Sequence, residues 1–173
     1  LHFEGCWNQQ EVSQYLLDHR GEVNLSDVWS WLRQFPYMGD FMTYEVVTDL
    51  RHTALLDQAP DIMTWANPGP GARRGLNRLH DRSLEARVSR DQLIAEMREL
   101  LSLSRHEDYW PRRLSHDTLL FGSYGNDWLD SDSLMAVNAW PEWEMRDVEH
   151  TLCEWDKYER ARLGQGKPRG VFR

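Results

Sequence analysis

The sequence has 173 residues, 40% of them hydrophobic, with nine tryptophans and a formal net charge of −8, which points to one packed domain and away from a disordered tail. Such a charge excludes a general nucleic-acid coat, because that kind of affinity rests on neutralising phosphates. Two cysteines, Cys6 and Cys153, exclude a disulfide scaffold, a four-cysteine zinc site and an iron–sulfur cluster, and no apolar run reaches membrane-spanning length.

A soluble, cytoplasmic protein with no membrane partner is therefore expected, and no signal peptide is visible. Leu1 opens the chain without a start signal, so the expectation of a single helical domain allows for its being the C-terminal portion of a longer chain. Charge is unevenly spread. Residues 73–90 hold six arginines against Asp81 and Glu85, residues 157–173 six basic side chains against Glu159, and residues 127–149 seven acids against Arg146. One polymer-facing side on an acidic body fits this distribution, as do solvated helix faces.

Asn8 is placed to cap a first helix over residues 9–19, supported by Glu11, with Val12, Tyr15, Leu16 and His19 on the apolar side and Gly21 as the stop. Ser26 then caps a second helix that turns Val28, Trp29, Leu32 and Phe35 inward and ends at Pro36. A third spans residues 40–51, with Phe41, Tyr44, Val47 and Leu50 at helical spacing. The turn between them, Phe35-Pro-Tyr-Met-Gly-Asp, resembles the helix-hairpin-helix of DNA glycosylases, which offers backbone N–H groups to a DNA phosphate. Gly39 keeps that motif's last glycine, whereas Tyr37 replaces the first. A short turn between core helices is the alternative.

Residues 65–79 read as an anion site: Pro68, Gly69, Pro70 and Gly71 break the chain, a helix opens near Ala72, and Arg73 and Arg74 supply forked donors. Arginines that merely face solvent fit equally well. The loop has no carboxylate beside the helix start, and Lys157 and Lys167 are the only lysines, which argues against a glycosylase or Schiff-base reaction. Ser89 caps a helix over residues 91–104 with Leu93, Ile94, Met97, Leu100 and Leu101 as core. His106, His116 and Asp117 lack metal-site spacing and read as loop residues, so no metal or cofactor is expected.

Pro141 suits the first turn of a last helix reaching about Leu163, with Gly164 beyond it. Met145, Val148, Leu152 and Trp155 form its apolar stripe. Glu149, Cys153, Asp156 and Arg160 follow one flank, and His150, Glu154 and Tyr158 the other. Salt-bridge lacing and a catalytic row are both compatible with this density of titratable groups.

Three strings carry a resemblance: Trp65-Ala-Asn-Pro-Gly-Pro-Gly-Ala-Arg-Arg-Gly-Leu-Asn-Arg-Leu, Glu149-His-Thr-Leu-Cys-Glu-Trp-Asp-Lys-Tyr-Glu-Arg, and Phe41-Met-Thr-Tyr-Glu-Val-Val-Thr-Asp-Leu-Arg. They are similar to the helical family of phage thymine-hypermodification proteins, which includes the helical domain of 5-hydroxymethyluracil DNA kinases and the alpha-glutamyl/putrescinyl thymine pyrophosphorylases, or amino acid:DNA transferases. The resemblance implies an all-α, helix-hairpin-helix, DNA glycosylase-like fold acting on modified thymine in DNA. In the transferase branch an amine or amino acid displaces pyrophosphate from 5-hydroxymethyluracil. In the kinase branch the domain binds DNA as an accessory to a kinase partner, since this chain has no P-loop.

On that resemblance His150 or Glu154 is expected to take the proton of the attacking ammonium, with Glu45 or Asp49 holding it. DNA and phosphate contacts are expected from Gly39, Asn67, Gly69, Gly71, Arg73, Arg74, Arg78, Lys157 and Arg160. Trp65 and Tyr44 are expected to pack against a base that has left the stack.

Overall fold

The computed structural model describes residues 9–104 and 143–165. Six helices carry them: α1 (Gln9–Asp18), α2 (Leu25–Leu32), α3 (Asp40–Leu50), α4 (Pro70–Leu79), α5 (Arg90–Leu103) and α6 (Met145–Arg162). Among the described residues there is no strand, and no helix is long and apolar enough to cross a membrane. The described architecture is thus all-α. The expected roles of Cys6, Asn8, His106, His116, Asp117, Pro141 and Lys167 lie outside the described residues.

Local signals set most of the helix ends. The Ser89 hydroxyl accepts from the Gln92 N–H at 3.2 Å and caps α5. Gly21 and Gly164 adopt positive φ, 85° and 68°, just beyond α1 and α6, a conformation that costs glycine little. Other ends differ from expectation. Helix α2 begins at Leu25 with Asn24 as N-cap, and Ser26 sits within its first turn. The cap comes from far away, because the Asp61 carboxylate accepts from the N–H groups of Leu25 and Ser26 at 2.7 and 3.0 Å. Helix α4 starts at Pro70, two residues before Ala72, with Gly69 as N-cap. Helix α6 starts at Met145 after Glu144 instead of at Pro141, and the Glu144 N–H donates to Asp147 at 2.8 Å.

The core gathers Leu16, Val28, Val47, Leu56, Leu76, Met97 and Met145, all nearly inaccessible. Each contributes roughly 1.5–3 kcal/mol by leaving water. Phe35 and Phe41, expected inside, are outside, with Phe41 70% exposed. Helix α3 instead turns Thr43, Tyr44, Val47 and Thr48 inward. Between α2 and α3 the turn holds Tyr37 at φ 69° with its side chain 99% exposed. Tyrosine therefore occupies a backbone conformation that favours glycine.

Helices α4 and α6 cross closely. A Cβ added to Gly71 would stand 2.9 Å from the Cys153 sulfur, and one on Gly75 only 2.8 Å from the Leu152 carbonyl oxygen. Substituting Gly75 by alanine should lower stability by about 1–3 kcal/mol through overpacking, net of the roughly 1 kcal/mol that alanine gains in a helix. Urea denaturation of the variant beside the parent protein measures it, and an unchanged midpoint would mean that the crossing is looser than described.

Candidate active site

Asn67 stands where the loop before α4 meets the turn before α3, and its side-chain amide donates to the Asp40 carbonyl at 3.2 Å. The same carbonyl accepts from the Trp29 indole at 3.2 Å. Trp65, two residues earlier, packs edge-on against Trp29 and Tyr44, with ring centres 6.1 and 5.6 Å away. These contacts bring the end of the hairpin turn and the Pro/Gly loop onto one side of the molecule.

Helix α6 lays Glu149, His150 and Cys153 against that side. The Gly69 N–H donates to Glu149 Oε1 at 3.2 Å, and the Cys153 thiol donates to the same oxygen at 3.3 Å. Glu149 is buried, and this burial holds its carboxyl above the usual range, partly countered by the Gly69 and Cys153 bonds. Burial, together with the Glu149 charge, pushes the Cys153 thiol up to about 12, so it stays protonated and is a poor nucleophile.

His150 reaches out of the same turn. Its Nε2 lies 3.5 Å from Glu45 Oε1 and 3.8 Å from Glu149 Oε2, and its ring stands edge-on to Tyr44 with centres 6.1 Å apart. Both His150 Nε2 and the Tyr44 hydroxyl are buried atoms without a hydrogen bond of ordinary geometry among the described residues. Burial first, then Glu149, raises the Tyr44 phenol well above its ordinary value, so it stays neutral. A histidine nitrogen and two carboxylates thus converge beside the neutral phenol of Tyr44, whose other neighbour is the Trp65 ring. Such a group can hold an ammonium and accept its proton.

Several expected members lie elsewhere. The N-terminus of α4 is already occupied by an anion from within, Glu149 on Gly69, so an external phosphate has to compete for it. Arg74 and Arg78 direct their Nε groups to the fully buried carboxylate of Asp156, at 2.8 and 3.2 Å, so each guanidinium has an internal partner. Gly71 is filled by the approach of Cys153. Arg73 remains without an ion pair to a described residue, its Nε buried and unbonded. Glu154 is exposed and pairs with Lys157, not with His150. Asp49 is exposed and Arg160 half-buried, neither ion-paired among the described residues, and Gly39 caps α3 with open space around it.

Sequence reasoning missed Glu149 as the internal anion and Asp156 as the arginine acceptor. The signal was present: Gly71 and Gly75, one turn apart, mark a helix face that admits another helix closely, and Arg74 and Arg78 flank it with the same spacing. Acids at intervals on the facing helix complete the pattern.

A family profile described as "5-hmdU DNA kinase, helical domain" matches residues 14–167. No curated protein and no solved structure matches the chain significantly.

Arg74→Ala should lower stability by about 3 kcal/mol, because it strips a partner from a buried carboxylate. Arg73→Ala should cost about 1 kcal/mol or less. Chemical denaturation of both variants tests the contrast, and equal losses would contradict it. For Glu149 the sign follows from its raised pKa: the folded state holds that proton more tightly than the unfolded chain, so the associated stability is present below 4.5, its ordinary value, and lost as pH rises through the folded value. Glu149→Gln should therefore gain stability relative to the parent as pH rises from about 4.5, then level off. Melting curves across pH decide it, a constant difference being the opposing result.

Proposed function

Because the chain belongs to the 5-hmdU DNA kinase helical-domain family, we propose that it takes part in hypermodification of 5-hydroxymethyluracil in DNA, as a transferase that replaces pyrophosphate with an amine. The observation that carries this reading is the unbonded His150 Nε2 between Glu45 and Glu149, against Tyr44. An incoming ammonium is held by the two carboxylates and gives a proton to His150. The freed lone pair forms the bond to the methylene carbon, while the bond from that carbon to the pyrophosphate oxygen breaks and its electron pair leaves with pyrophosphate. Arg73, one turn into α4, is the guanidinium left for the leaving group. Trp65, half-buried, offers its ring to the extruded base, and Tyr44, in the core behind it, backs that ring.

The meeting of the α2–α3 turn with the Asn67 loop supports a glycosylase-like way of holding the strand, with the Tyr37 turn offering backbone N–H groups to a phosphate. A second reading, an accessory DNA-binding domain serving a kinase partner, is favoured by one observation: the α4 anion site is filled by Glu149. The two part on chemistry. Mass spectrometry of nucleosides from pyrophosphorylated 5-hydroxymethyluracil DNA, incubated with the protein and a pool of amines, should reveal a new nucleoside. His150→Ala should reduce its formation about 100- to 10,000-fold with DNA binding nearly unchanged. Unaltered turnover in the folded variant removes His150 from the mechanism, and no product with any amine selects the accessory reading.

A further inference from the structure

An open groove of about 520 Å³ is walled by Trp29 and Trp65 and edged by Ser30, Arg90, Asp91 and Arg98. Its volume falls within the range of roughly 300–1,000 Å³ usual for small-molecule sites. Two guanidiniums are fixed along it by main-chain carbonyls that bracket Trp65 in sequence. Arg98 donates through Nε and Nη2 to the Thr64 carbonyl at 3.1 and 2.7 Å. Arg90 donates through Nη2 to the Ala66 carbonyl at 3.4 Å, with its guanidinium carbon 5.2 Å from the Trp29 ring centre.

Carbonyl anchoring orients these cations without neutralising them. Arg20, Arg33, Arg51, Arg74, Arg78 and Arg82 each pair with a carboxylate. Among the described residues Arg90 and Arg98 pair with none, and each keeps an unbonded Nη1. Positioned, unneutralised guanidiniums beside indole rings suit a ligand with a phosphate at one end and an aromatic ring at the other. Asp91 is the one acid on the rim and reduces the local positive charge.

We infer that this groove binds a phosphorylated nucleotide, its phosphate on Arg90 and Arg98 and its base along Trp65. The inference deepens the reading above and rests on it in one respect: Trp65 also borders Tyr44, so a strand nucleotide in the groove is a neighbour of the modified base. The shared chemistry, a phosphate joined to a base, belongs both to a DNA strand and to a free nucleotide.

Binding of a labelled thymidine hexanucleotide to the full chain, followed by fluorescence anisotropy across salt concentrations, tests it, with thymidine 5′-monophosphate as competitor. Ser30→Glu adds a negative charge at an exposed position of the rim and removes no anchoring bond. It should weaken hexanucleotide binding about tenfold or more, as should Arg98→Gln, which also lowers the salt slope by about one for the lost phosphate contact. Asp91→Asn should tighten binding. Competition by the monophosphate assigns the site to free nucleotides, and its failure assigns the site to the strand. Unchanged affinity in a Ser30→Glu protein that melts like the parent overturns the inference, as does absence of binding to either probe. Nucleotide binding that survives without any new nucleoside would sink the transferase and leave the groove standing. Product formation with Ser30→Glu binding unaltered would do the reverse.

Discussion

The Leu152 carbonyl stands where a side chain on Gly75 would go, and the approach of α4 to α6 at that point governs the positions of the groups around it. Side chains from α6 reach α4 on either side of the contact: Glu149 meets Gly69 at the helix start, and Asp156 meets Arg74 and Arg78 further along. With the backbones this near, the three links cannot slide independently. His150, next to Glu149 in sequence, is thereby aimed at α3 and its Glu45. The direction of the candidate base is thus inherited from a helix crossing that has no chemistry of its own.

The acids of this chain divide into two uses. Asp156 is buried opposite two arginines, where Coulomb attraction offsets desolvation. Glu149 is buried without an arginine partner, and that burial, with the Glu45 charge adding to it, holds its carboxyl above the usual range although the Gly69 N–H, the Cys153 thiol and His150 partly counter it. An acid left in that condition is a reservoir of unfavourable charge that an incoming cation relieves. In the proposed transferase reading, this is the physical reason for placing an amine beside Glu45, Glu149 and His150.

Much of the fold was legible because helix periodicity and breakers are local. Leu93, Met97 and Leu101 repeat at the spacing of a buried stripe, and Gly21 and Gly164 end their helices as glycine does. What failed was rotation and partnership. Phe41 and Tyr44 lie on adjoining parts of one helix, and pattern alone did not reveal that Thr43 and Thr48 would be buried while Phe41 was not. The same locality misled at the site. Helix spacing offered Glu154 to His150, yet Lys157 holds Glu154, and the carboxylate that reaches His150 comes from α3. Arg74 read as a phosphate donor because its partner lies on a helix distant in sequence.

Helix α2 has eight residues, too few to persist alone in water. Its first two N–H groups are satisfied by Asp61, while the next residue, Ile62, accepts from the Met145 N–H at 3.4 Å. The segment around Asp61 is therefore a keystone between the hairpin half and the closing helix. Both parts draw hydrogen bonds from this one segment, so loosening at one end is transmitted to the other.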